Sequence, residues 1–263
     1  MIRHPAVSGT FYPSDKMELI NMIDHLLDIV MVQDHGNPIG LICPHAGYIY
    51  SGVTAAFAFK YLRDREYDNV IIMAPSHFDR YDGITTWYGD GLETPLGVVE
   101  VSKDDKILNY GVERSKLGFG KEHSLEVELP FLQRVLKPGW KLIPLVMGYQ
   151  VDRSIELGSN LLSEYVSDKN LIIISSDLSH YHPYEKAKQI DRHFLNYILQ
   201  DKLDDLHQAH EHGLVEACGF GPVMSFLKLN FKSKVLDYRT SGDTAGDRNS
   251  VVGYTAMGAF WND

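Results

Sequence analysis

Short runs of unbroken hydrocarbon limit what this chain can fold into more than any other feature. IGLIC (Ile39 to Cys43), NVIIMA (Asn69 to Ala74), KLIPLVMG from Lys141 and LIIIS (Leu171 to Ser175) are strand-length, too short for buried helices. Helical patterns separate them. SGVTAAFAFKYL lies between the first two, Leu125 to Leu136 leads into the third, and Ser154 to Val166 leads into the fourth. A strand, helix, strand unit of roughly 30 residues makes parallel, right-handed neighbours. Strands with no polar alternation need cover on both faces. The pattern therefore predicts an α/β fold over residues 1–263, a single domain built as a three-layer α/β/α sandwich with a mostly parallel central sheet.

The remaining elements fit around that frame. Ser14 is placed as the N-cap of a helix running to about Val30, with Met17, Ile20, Ile23 and Leu27 on its apolar face. Glu185 to Gln200 reads as a long helix, a further helix lies near Phe226, and KVLDYR and SVVGYTAMGAF read as late strands. ITTWYGDGLETPLGVVEV, from Ile84 to Val101, reads as a hairpin or edge excursion because Gly and Pro punctuate it.

Each apolar run ends in polar chemistry. IGLIC gives way to Pro44-His45-Ala46-Gly47-Tyr48, VIIMA to Pro75-Ser76-His77, LIII to Ser175-Ser176-Asp177-Leu178-Ser179-His180, and VLDYR to Thr240-Ser241-Gly242-Asp243. Parallel strands point their carboxyl ends the same way, about 4.8 Å apart, and ligands bind in the crevice beyond them. The four exits are thus expected to converge, with Lys121-Glu122-His123-Ser124 reaching in from a loop. His45, His77, His123, Asp177, His180 and Asp243 form the resulting candidate set. Imidazoles and carboxylates together suit a divalent ion, and two His with one carboxylate leave positions open for substrate or dioxygen.

Asp177 and His180 are three apart, which on a helical turn brings a carboxylate beside an imidazole and makes a general base. An N-capping Asp is the competing reading. His182 precedes Pro183 and is read as a wall or capping residue. Cys43 packs in its strand, and Cys218 opens a helix in ACGFGP, where the positive helix end would lower its pKa; neither is assigned as nucleophile.

Charge and composition remove other classes. A net charge of -10 offers no Lys/Arg surplus for nucleic acid. No G-x-S-x-G elbow and no glycine-rich phosphate loop occurs in the sequence. Two cysteines, no signal-like start and no apolar run of about 18 residues point to a soluble protein of a reducing cytoplasm, with no membrane segment. The sequence does not give an oligomeric state.

HPAVSGTFYP, PHAGYIYSG, APSHF, KEHSLEVELPFL, SSDLSH, ACGFGP and RTSGDTAGDRNSVVGYTAMGAF, in that order along nearly the whole chain, resemble the Memo family. That family is similar in fold to class III extradiol ring-cleaving dioxygenases, which are non-heme Fe(II) enzymes. The resemblance implies His45 and His77 as metal ligands, His180 as catalytic base and His123 as a residue touching substrate or oxygen. In animal members it implies a cysteine third ligand from the late SG-containing stretch. SGDTAGDRNS holds no cysteine, and Asp243 or Thr244 is the best match there. Asp243 would complete a two-His, one-carboxylate triad and weaken any preference for copper(I).

The expectation is therefore a metal-binding protein, with Fe(II) first and Cu or Zn next, acting as a dioxygenase-like oxidoreductase on an unknown small molecule. Two alternatives stand beside it. One is an adaptor using the same pocket for a phosphotyrosine-type peptide or anion, as animal Memo proteins are described; the other is a metal-dependent hydrolase.

Overall fold

The computed structural model describes residues 1–261. In chain order the elements are β1 (Ile2–Arg3), α1 (Lys16–Ile29), β2 (Pro38–Cys43), α2 (Tyr48–Phe59), β3 (Asn69–Pro75), β4 (Ile84–Trp87), β5 (Gly91–Thr94), β6 (Gly97–Glu100) and β7 (Glu113–Ser115). There follow α3 (Leu129–Val135), β8 (Lys141–Met147), α4 (Asp152–Ser163), β9 (Asn170–Ser175), β10 (His180–His182), α5 (Tyr184–Leu199), α6 (Leu203–Glu211), α7 (Phe220–Leu227), β11 (Ser233–Thr240), α8 (Ser241–Thr244) and β12 (Val251–Phe260).

The apolar runs are the centre of a nine-stranded sheet ordered β10-β12-β2-β9-β3-β8-β4-β7, with β11 also paired to β12. β2, β9, β3 and β8 run parallel to one another, as their helical crossovers require. Around that centre the sheet is mixed rather than mostly parallel. β12 runs antiparallel to β2, β10 and β11, and β4 runs antiparallel to β8. The physical reason lies in the connections: β11 reaches β12 through one helical turn and a short loop, too little chain for the crossover that parallel pairing needs. A second sheet, ordered β1-β5-β6, takes the expected hairpin between Ile84 and Val101 and pairs it with the start of the chain.

The unbroken strands are apolar on both faces because both faces are covered. Val70, Ile72 and Ala74 of β3 pack with Leu19, Phe59 and Phe131, whereas Ile71 and Met73 pack with Leu161, Phe194 and Phe226. Asp15, not Ser14, caps α1, taking the Met17 and Glu18 amides on its carboxylate. The helix is rotated accordingly. It buries Leu19, Ile23, Leu26 and Leu27, and leaves Met17 exposed. Among the described residues no helix is long and apolar enough to cross a membrane.

Candidate metal centre

The strand order explains which side chains can meet. β9 lies between β2 and β3, so the exits at His45, Ser175 and His77 stand side by side at one edge of the crevice. The His45 and His77 rings are 5.2 Å apart between centroids, and His123 lies 5.6 Å from His45 and 5.0 Å from His77. These three rings, with Asp177 and His180, line one cavity of about 600 Å³ whose other walls include Phe11, Tyr50, Tyr181 and Tyr254.

His45 is buried, and both ring nitrogens are engaged. Nδ1 lies 2.7 Å from Ser175 Oγ, and Nε2 lies 3.2 Å from Cys218 Sγ. Burial, then the neighbouring His77 and His123, push its pKa well below the usual imidazole value, so the ring is neutral and has a lone pair to give. His77 is fixed from the other side. Its backbone amide donates to Glu122, and its Nδ1 lies 2.9 Å from Glu122 Oε1. Burial works against charge on His77, but the hydrogen bond and charge of Glu122 outweigh it and raise its pKa. Burial lowers the pKa of His123, and its ring meets Phe11 edge-on at 4.7 Å.

Glu122, with His77 and His123, has the spacing of a metal group, but both of its carboxylate oxygens are already engaged in hydrogen bonds. Oε1 takes the His123 and Ser124 amides in addition to His77. A carboxylate so bonded orients an imidazole rather than competing with it for an ion.

The third donor beside His45 and His77 is Cys218. One donor atom from each of the three lies within 4.8 Å of the others. Donors about 2.0 Å (N) and about 2.3 Å (S) from one tetrahedral ion stand about 3.5 Å apart, and the His45 Nε2–Cys218 Sγ contact of 3.2 Å is within a few tenths of that. The Asp177 amide points at the sulfur from 3.2 Å. Burial, with the Asp177 charge, pushes the thiol pKa up, opposite to the effect expected of a helix end. A Cβ on Gly219 would sit 2.5 Å from the Ser175 carbonyl oxygen, so only glycine lets the Cys218 backbone approach the β9 exit this closely. That glycine was the signal within ACGFGP. Reading the cysteine as a helix opener passed over it.

Asp243 is not brought to the histidines. It is the third residue of the one-turn α8, and its Oδ2 folds back to the Thr240 amide and hydroxyl in a capping box. Its Oδ1 takes the Tyr184 hydroxyl at 2.7 Å. With Thr244 it lines a separate cavity beside Met22, His25, Phe57 and Arg239. The exit of β11 lies beyond β12 from β2, so of residues 240–244 only Ser241 lines the histidine cavity, joined by Ser250 just before β12.

Asp177 and His180 share the cavity but not a helical turn, since residues 176–179 form no helix. Asp177 Oδ1 instead takes the His45 amide at 2.8 Å and fixes the β2 exit. Burial pushes this carboxyl up to about 7, against the lowering effect of the His45 and Ala46 amides. The His180 amide donates to Glu216 at 3.2 Å, and burial lowers the pKa of its ring. His182 pairs with Glu216 and faces another cavity.

Behind His45, Glu128 is fully buried, with Oε1 2.9 Å from Ser175 Oγ and Oε2 without a partner among the described residues. Burial pushes its pKa well above 4.5. The folded protein then holds a proton that the unfolded chain releases above its ordinary pKa. Stability present at low pH is lost as pH rises towards the folded value, by up to about 1.4 kcal/mol per pH unit. Glu128→Gln removes this dependence. Urea unfolding at pH 5, 6 and 7 is expected to show the variant gaining on the native chain with each step; a constant difference contradicts a protonated Glu128.

Residues 3–258 match a family described as Memo-like protein. The chain is 36% identical to a MEMO1 family protein of Aquifex aeolicus, with 97% of this chain and 98% of that one aligned. It is 33% identical to one of Nitrosopumilus maritimus, over 98% and 99% of the two chains, and 34% identical to one of Methanosarcina mazei, over 97% and 98%. With the family matched along nearly its whole length and relatives aligned almost end to end, this chain belongs to the Memo family.

Proposed function

We propose that the protein is a metal-dependent oxidoreductase acting on a small, uncharged molecule, with His45, His77 and Cys218 as the ligands. The observation that carries this reading is the meeting of two oriented imidazoles and a thiol, with both imidazoles lining a cavity large enough for a substrate. Two nitrogens and a sulfur suit a redox-active ion of borderline or soft character, iron or copper, and the sulfur strengthens the case for copper(I) that a carboxylate would have weakened. Such an ion, when bound, supplies one-electron chemistry that no side chain here supplies.

The chain's own residues do the rest. Ser175 and Glu122 hold the rings of His45 and His77. His180, neutral because burial lowers its pKa, accepts a proton from a substrate hydroxyl and returns it later. His123 and Phe11 form one wall, and Tyr50 and Tyr254 another, so aromatic faces are presented to a bound molecule and a planar ligand is favoured. Among the lining residues there is no Lys or Arg. A phosphotyrosine group would have no counter-charge there, which disfavours the adaptor reading.

The test is anaerobic titration of metal-free protein with copper(I) and, separately, ferrous ion. One equivalent of either is expected to bind and to cycle between oxidation states on mild oxidation and reduction. Binding of zinc alone, or no stoichiometric binding, overturns the oxidoreductase reading.

A further inference from the structure

Ser175 Oγ has three polar neighbours and one proton. The Ser124 carbonyl oxygen lies 2.5 Å away, His45 Nδ1 2.7 Å and Glu128 Oε1 2.9 Å. A hydroxyl has one hydrogen to give and two lone pairs to fill. The carbonyl can only accept, and it is the nearest, so the hydroxyl hydrogen goes there. The other two neighbours must then both donate. Glu128 can donate only as the neutral acid, and its surroundings agree: it is 1% exposed, and its Oε2 has no partner among the described residues. A charged carboxylate with one bare oxygen in that position would be strongly disfavoured. His45 can donate from Nδ1 only if the ring proton sits there, which leaves Nε2 with its lone pair facing Cys218 and the cavity.

We propose that Ser175, its hydroxyl turned to the Ser124 carbonyl and its second lone pair filled by Glu128, is a positioning residue that locks His45 as the Nδ1-protonated tautomer and so presents Nε2 as a ready ligand. The inference rests on the metal-centred reading above for its purpose, though not for its geometry. Ser175 ends β9, and Glu128 closes the 3-10 turn before α3. The relay therefore ties the strand that separates β2 from β3 to the segment that also holds Glu122 and His123. His77 is oriented by a carboxylate directly; His45 is oriented by a hydroxyl that a carbonyl and a carboxylic acid hold.

The experiment reads the His45 ring nitrogens by 15N NMR in the metal-free protein near pH 7, then copper(I) affinity without oxygen. Native protein and Glu128→Gln, whose amide NH2 still donates to Ser175, are expected to hold a single Nδ1–H tautomer and equal copper(I) affinity. Glu128→Leu, in which the Ser124 carbonyl still takes the hydroxyl hydrogen, is expected to keep the Nδ1–H tautomer. Ser175→Ala is expected to give mixed tautomers and a loss of affinity of roughly 10- to 100-fold, the usual effect of losing an outer partner of a metal-bound histidine. An Nε2–H tautomer in the native chain or in Glu128→Leu, or an unmixed Nδ1–H tautomer in Ser175→Ala, overturns the proposal. If Ser175→Ala does not fold, the native and Glu128→Leu spectra decide alone. Because the tautomer is read without metal, failure of the relay is distinguishable from failure of the metal site.

Discussion

Cys218→Ala is expected to abolish the proposed metal binding, and Asp243→Ala to leave it within about twofold of the native value. The contrast follows from the surroundings of the two side chains. Cys218 Sγ is 3.2 Å from His45 Nε2 and receives the Asp177 amide, so its removal deletes the sulfur that, among the described residues, stands beside the two imidazoles. The loss is expected to exceed the roughly 10- to 100-fold that follows from removing an outer-sphere partner. Asp243 spends both oxygens on Thr240 and Tyr184, and its removal loosens α8 without touching a ligand. Its effect belongs to stability, at about 0.5–2 kcal/mol for a lost cap. Anaerobic competition with a copper(I) chelator measures both variants. Native affinity in Cys218→Ala, or loss of affinity in Asp243→Ala with the fold intact, would restore the two-His, one-carboxylate triad and remove the case for sulfur. Cys218→Asp is a useful third variant: it puts a hard ligand near the same place and is expected to shift preference from copper(I) towards ferrous ion.

What could be read in the sequence was what local pattern controls. The unbroken runs at Ile39, Asn69, Lys141 and Leu171 became the four central strands because length and hydrocarbon content leave a short segment little else to be. Their exits put His45, His77, Asp177 and His180 around one cavity, since parallel strands share a direction. The errors came from the part of the sheet that is not parallel. β12 inserts antiparallel beside β2, which moves the β11 exit one strand further away and takes Asp243 with it. Cys218 enters from a loop before α7, not from a strand, so no strand-exit argument could reach it. Asp177 has the right place and a different partner: spacing suggested His180, and the fold supplied the His45 amide. Pairwise spacing finds neighbours within a helix. It cannot find which of two loops a carboxylate will serve.

Glu126→Ala is expected to lower stability by about 3–5 kcal/mol, the usual consequence of removing one member of a buried ion pair. Glu126 accepts from Arg3 Nη1 at 2.7 Å, the Ala6 amide at 2.7 Å, the Val7 amide at 3.0 Å and the Tyr12 hydroxyl at 2.7 Å. Arg3 is 6% exposed and Glu126 1% exposed, so deletion leaves a guanidinium buried with only the Phe119 and Glu122 carbonyls for company. The same contacts hold residues 6–12 in place, and these carry Thr10 and Phe11 into the cavity wall. The Tyr48 amide fixes the strap from below by donating to the Phe11 carbonyl. Loss of Glu126 should therefore act twice, on global stability in urea unfolding and on hydrogen exchange at residues 6–12 under native conditions. Glu126→Gln keeps the shape and one acceptor, and is expected to lie between the native chain and alanine on both measures. A cost below about 1 kcal/mol in Glu126→Ala, with exchange in the strap unchanged, would mean that apolar packing of Phe11 and Tyr12 holds this wall and that the buried carboxylate adds little. The strap is then independent of the ion pair, and its closeness to His123 follows from the Phe11 ring contact alone.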